Sequence, residues 1–106
     1  MDGKFCIIFV TCRSAKEAGT IASALLKKRL ASCVNILPGI ISSFWWQGKI
    51  NKAKEVLVMV KSTGRNYKKI EKEVKRIHSY EVPEIIAVPI IAGSKDYLKW
   101  IGKETK

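Results

Sequence analysis

The chain is 106 residues long, 47% hydrophobic and 27% charged, which excludes a disordered polymer and fits one globular domain spanning 1-106. No apolar run approaches the ~20 residues of a membrane span, and three cysteines, an odd number, argue against a disulfide framework. The net charge of +11 leaves an anionic partner open, the alternative being solvated helix faces in a basic protein.

Phe5 to Thr11 is apolar at nearly every position, which predicts a strand buried on both faces. Met1 to Lys4 ahead of it lacks the small-residue cleavage site of a secretion signal. With the unpaired cysteines this points to a cytoplasmic protein, although an organelle form with its transit peptide removed reads the same way. Ser14 is a helix N-cap, and Glu17 three residues later completes a capping-box pattern. The helix places Ala18, Ile21, Ala22 and Leu25 on one face. Lys27, Lys28 and Arg29 close it where positive charge suits the macrodipole. Ser32 to Leu37 predicts a short strand stopped by Pro38-Gly39, a turn signal.

Ile40 to Ser62 then reads as a long hairpin. Its two runs, Ile40 to Gln47 and Glu55 to Lys61, are rich in residues that suit a pleated, half-buried surface. A polar link containing Gly48 joins them, and glycine accepts the positive φ of a reversal without steric cost. Trp45 and Trp46, adjacent in a strand, must point to opposite faces. One small domain is poorly equipped to hide both. From Arg65 to Ile77 a second helix puts Tyr67, Ile70, Val74 and Ile77 on one face and Lys68, Lys69, Lys72, Lys75 and Arg76 in solvent. Ser79 to Pro83 is irregular, because Pro83 disfavours helix at Val82. Glu84 to Ile91 is a further strand, with Pro89 suiting an edge or a bulge. Asp96 to Lys103 forms a short C-terminal helix carrying Tyr97, Leu98, Trp100 and Ile101.

This order is the α+β, ferredoxin-like βαββαβ sandwich, here with an extended β-hairpin and a short C-terminal helix. Its two main helices cover one sheet face only, yet the strands at 5–11, 56–60 and 85–91 are apolar on both. Copies of the same chain are the economical cover for the other face. An aromatic strand such as Ile40 to Trp46 also needs a neighbour on its edge.

Several segments now carry a resemblance. Arg29-Leu30-Ala31-Ser32-Cys33-Val34-Asn35-Ile36 is similar to an RLAACVNI block, and Ser43 to Ile50 to an S-x-Y-x-W-x-G-K hairpin. Glu55-Val56-Leu57 with Lys61-Ser62 falls where EVL and KT are found. His78-Ser79-Tyr80-Glu81-Val82-Pro83-Glu84-Ile85-Ile86 resembles HPYEVPEII, and Tyr97-Leu98-Lys99-Trp100-Ile101 resembles YLxWI. Together, in this order from Phe5 to Ile101, they resemble the CutA family, the divalent-cation tolerance proteins. The resemblance implies a PII-like homotrimer with a role in tolerance of, or response to, copper and other divalent metals. It implies no defined enzymatic activity. Ser79 replaces the family's usual proline, and Arg13 stands where TCP is common.

The resemblance also implies a metal site, built from a cysteine near the end of the first strand and two histidines before the Pro-Tyr segment. Here the second histidine is matched by His78 and the first by Ile77. The cysteine position aligns with Thr11, with Cys12 one residue on. His78 and Cys12 are thus the candidate ligands for copper or another divalent cation, since imidazole and thiolate suit copper. Arg29, Lys49, Glu55, Lys61, His78, Tyr80, Glu81 and Glu84 recur in these motifs without an obvious structural need. With Trp46 and Trp100 as aromatic anchors, they are expected at a cleft or interface between subunits, Glu81 and Glu84 pairing there with lysines or with Arg29. One histidine without a partner acid or base, and no phosphate loop or nucleophile elbow, predicts no catalysis. A rival reading is a basic nucleic-acid-binding module, since residues 49–76 hold ten Lys and Arg against three acids. The strand at 56–60 offers Val, Leu and Met where such modules stack bases on aromatics, so nucleic acid is not expected. A trimeric scaffold or signalling protein without a metal role is the other alternative.

Overall fold

The computed structural model describes residues 4–106; the reading of Met1 to Gly3 as no secretion signal lies outside the described residues. Seven main elements follow one another: β1 (Phe5–Cys12), α1 (Ala15–Lys27), β2 (Cys33–Trp46), β3 (Lys49–Thr63), α2 (Tyr67–Ile77), β4 (Ile85–Pro89) and α3 (Lys95–Glu104). The strands pair antiparallel in the order β2-β3-β1-β4. α1 and α2 are therefore the crossovers of two interlocked β-α-β units, the expected ferredoxin-like plan.

Period-two alternation decides the two faces of the sheet. Cys6, Ile8, Val10 and Cys12 of β1 and Val56, Val58 and Val60 of β3 form one core with Ala18, Ile21 and Leu25 of α1 and Ile70 and Val74 of α2. Ile7, Phe9, Leu57 and Met59 alternate with them and are only half-buried. Ile86 and Val88 of β4, paired with Phe9 and Ile7, are 51% and 40% exposed. α3 covers one end of this second face: Tyr97 lies near Cys33, and Gly102 sits over the Phe5 ring. Among the described residues nothing covers the rest of this face.

The helix ends follow local chemistry with one change. Ser14 Oγ accepts the Glu17 N–H at 3.1 Å, half of the expected capping box. The Glu17 carboxylate instead reaches across the molecule, where its Oε2 accepts the Ser79 N–H at 3.0 Å. In α2 the periodic apolar face holds, but Glu73 is buried beside it. Lys28, the C-cap of α1, and Arg76 from α2 meet its carboxylate at 2.9 and 2.8 Å.

The middle of the chain corrects three expectations. Pro38-Gly39 does not stop β2. The strand continues to Trp46 through a bulge, its partners passing from Leu37↔Leu57 to Ile40↔Glu55. Pro38 has no N–H to give a ladder and Gly39 takes φ 80°, so a bulge on an edge strand accommodates both. The polar link is also strand: Lys49 to Lys54 pair with Trp46 to Ile41. Reversal needs only Gln47 and Gly48, at φ 52° and 77°, the left-handed pair of a type I′ hairpin turn. Finally, the last strand is shorter than Glu84 to Ile91, ending at Pro89, a residue that suits the sheet edge where it lies.

Candidate functional site

Beyond the helices, the outer half of the β2–β3 hairpin stands over the loop that joins α2 to β4. Between them lies an open groove of about 880 Å³. Ser42 to Trp46 with Asn51 and Lys52 form the hairpin wall; Tyr80, Glu81, Val82 and Glu84 form the loop wall; Thr11 and Glu55 lie at the sheet end. The groove thus brings together Trp46, Glu55, Tyr80, Glu81 and Glu84 of the expected residues. Thr11, Ser42, Asn51 and Lys52 were not among them.

The loop is held from beneath by His78. The Tyr80 N–H can only donate and the Thr11 carbonyl can only accept, which fixes the ring's tautomer. Nδ1 accepts from Tyr80 N–H at 3.0 Å, and Nε2–H donates to Thr11 O at 2.7 Å. The imidazole is fully buried and packs against the Tyr80 ring at 4.7 Å between centroids. Tyr80 in turn donates its hydroxyl to Glu55 Oε2 at 2.7 Å. Burial, then the bond to Glu55, pushes the Tyr80 hydroxyl well above the usual phenol range, so it stays a donor. Glu55 is only 7% exposed, and this one bond orients a carboxylate that lines the groove.

The implied metal ligands do not fit an ion in this arrangement. Both nitrogens of His78 are engaged with backbone, so neither lone pair is free. Cys12 points into the core beneath α1, where burial, then the Glu17 carboxylate, pushes its thiol up to about 11. A thiol so disfavoured as thiolate is a poor ligand. Among the described residues, no three His, Cys, Asp or Glu side chains converge on one point.

The other expected residues lie away from the groove. Arg29, at φ 58°, pairs with Glu104 of its own chain at 2.8 Å. Lys49 flanks the hairpin turn opposite Trp46. Lys61 lies on the open sheet face, paired with Ile7 and Cys33. Trp100 stacks on Tyr97 of α3 at 5.5 Å and is 40% exposed. No helix is long and apolar enough to cross a membrane among the described residues.

Comparison with known proteins agrees across the chain. The family profile described as CutA1 divalent ion tolerance protein matches residues 6–104. The divalent-cation tolerance protein CutA of Thermus thermophilus is 43% identical over 99 residues, covering 93% of this chain and 96% of that protein. The namesake protein of Archaeoglobus fulgidus is 48% identical over 94 residues, covering 89% of this chain and 91% of that one. Among solved structures, the Thermus thermophilus divalent cation tolerance protein superposes with a TM-score of 0.94 at 42% identity, covering 96% of this chain and 99% of its own.

Proposed function

Because the chain belongs to the CutA divalent-cation tolerance family, we propose that it serves divalent-metal tolerance as a non-catalytic homotrimer that holds its ligand in the hairpin groove. The sheet face opposite α1 and α2 carries this reading. Ile7, Phe9, Leu57 and Met59 with Ile86 and Val88 make an apolar surface broad enough to call for a second copy of the chain. The hairpin strengthens it, since Trp45 and Trp46 are 71% and 45% exposed in the isolated chain. A neighbouring subunit against both surfaces turns the open groove into a cleft.

Glu55, Glu81 and Glu84 line that cleft without converging on one point in a single chain, so a cation held there by their oxygens takes further donors from the neighbouring subunit. The non-catalytic part of the reading rests on the same geometry, because the one histidine is spent on holding a loop. Three free cysteines support a cytoplasmic setting.

Native mass spectrometry with and without one equivalent of Cu²⁺ per chain tests the assembly and the site. The expected species is a trimer whose copper uptake falls in Glu55→Gln and Glu84→Gln variants and persists in Cys12→Ser. A monomer refutes the assembly. Uptake lost in Cys12→Ser and kept in the glutamine variants moves the site to the thiol.

A further inference from the structure

The hairpin groove gathers acid in a chain rich in base. Glu55, Glu81 and Glu84 line it against a single base, Lys52, although the chain has 20 Lys and Arg to 9 Asp and Glu. Away from the groove, Glu71, Glu73 and Glu104 each take a basic partner. Among the described residues the three groove carboxylates take part in no ion pair.

Glu55 makes this more than a surface cluster. It is 7% exposed, and a carboxylate so buried is costly without a counter-charge. Tyr80 gives one neutral donor, to Oε2. Oε1 takes no donor from the described residues and is not sealed from solvent, so it opens on the groove that Glu55 lines. Asn51 adds a second acceptor. Its amide NH₂ donates to Trp46 O at 3.4 Å and to Lys49 O at 3.1 Å, which leaves Oδ1 as its free end. The groove thus presents acceptors, and its occupant has to bring donors and positive charge.

Spacing decides between a point ion and an extended one. Ile40 pairs with Glu55 and Phe44 with Asn51, so Asn51, Glu55 and the exposed Phe44 ring share one face of the hairpin. Asn51 and Glu55 stand four residues apart on β3, roughly 13 Å at ~3.3 Å per residue. A divalent ion draws its oxygens to within about 2.6 Å, and among the described residues no three metal-ligating side chains converge. Ammonium groups a few methylenes apart match this layout. The methylenes between them find apolar surface on Phe44, whose ring face also attracts an ammonium.

We propose that the hairpin groove binds a linear polyamine, its ammonium groups shared among Glu55, Asn51 and the loop carboxylates Glu81 and Glu84. This rests on the reading of the groove as the ligand site and adds a ligand class beyond the divalent ion.

Isothermal titration of the intact protein with spermidine and with butylamine, sodium chloride keeping the ionic strength constant, tests it. One saturable spermidine site per chain is expected, at least tenfold tighter than butylamine. Glu55→Gln keeps an acceptor for Tyr80 but removes the charge. It should weaken spermidine at least tenfold, with native mass and circular dichroism unchanged. Glu84→Gln should weaken it several-fold and decides the matter if Glu55→Gln misfolds. Glu71→Gln, outside the groove, should change nothing. The inference is overturned by the absence of a saturable site, by equal binding of butylamine, by binding indifferent to Glu55→Gln and Glu84→Gln, or by equal loss in Glu71→Gln. Copper uptake by the same variants separates it from the metal reading. Uptake that still falls in Glu55→Gln, with no spermidine bound by the parent, overturns the polyamine alone. Uptake indifferent to Glu55→Gln, again with no spermidine bound, overturns the groove as a ligand site.

Discussion

Replacing Trp46 with alanine separates the chain's own stability from that of its assembly. The side chain is 45% exposed in the single subunit. A tryptophan presents about 250 Å², so roughly 110 Å² remains for a neighbour to cover, worth ~3 kcal/mol at ~25 cal/mol per Å². A trimer contains the lesion three times, so its association free energy falls by ~9 kcal/mol, about six decades in the equilibrium constant. The concentration at half-dissociation varies as the square root of that constant, which gives a shift of about three decades. Sedimentation velocity over a dilution series from nanomolar to high micromolar reads this shift directly. Circular dichroism of the diluted variant checks that the subunit itself is folded. A folded variant that dissociates at the same concentration as the parent would refute the reasoning, because Trp46 would then face water in the assembled protein.

Three further outcomes are expected. Gly19 lies within α1, and a Cβ built on it meets nothing within 4 Å; Gly19→Ala should therefore raise stability by ~0.5–1 kcal/mol in urea titration, and a fall would mean hidden crowding. Tyr80→Phe removes the hydroxyl from a nearly buried carboxylate and should cost ~1.5–3 kcal/mol by the same assay, with no loss if Glu55 turns to another donor. The Arg76 guanidinium, then the Lys28 ammonium, holds Glu73 at about 2 instead of its ordinary 4.5. A folded value below the unfolded one contributes stability that is complete above the unfolded value and is lost as pH falls toward the folded one. Thermal stability should thus decline from about pH 4.5 toward pH 2, and Glu73→Gln should show a shallower decline.

Wherever side chains alternate or repeat against a core, the fold was legible. β1, the buried faces of α1 and α2, and the Ser14 cap all follow from apolar period and local hydrogen bonding. Lys49 to Lys54 carries no such signal, because that part of the hairpin stands clear of the helices and its ladder is written in backbone bonds alone. Pro38-Gly39 has the composition of a turn, and only the partner strand turns it into a bulge. Glu73 looks like one more solvated charge until Lys28 arrives from a helix 45 residues away. The site divides in the same way. Glu55, Tyr80, Glu81 and Glu84 stood out within their motifs, whereas Thr11 and Lys52 joined them only through the sheet register. His78 was conspicuous as the chain's one histidine, but its engagement with Thr11 and Tyr80 is tertiary.

The bulge gives the outer hairpin a reading frame. Up to Leu37 the odd-numbered residues of β2 share the open sheet face with Leu57; from Ile40 onward the even-numbered ones share it with Glu55. Deleting Gly39 alone would remove the extra residue and leave a regular ladder in which Ile40 still faces Glu55 and Trp46 keeps its side of the sheet. Deleting both Pro38 and Gly39 would set Ile40 opposite Val56 and exchange the faces of Trp45, Trp46 and every residue from Ile40 outward. A single deletion at this point should therefore be tolerated and a double one penalised.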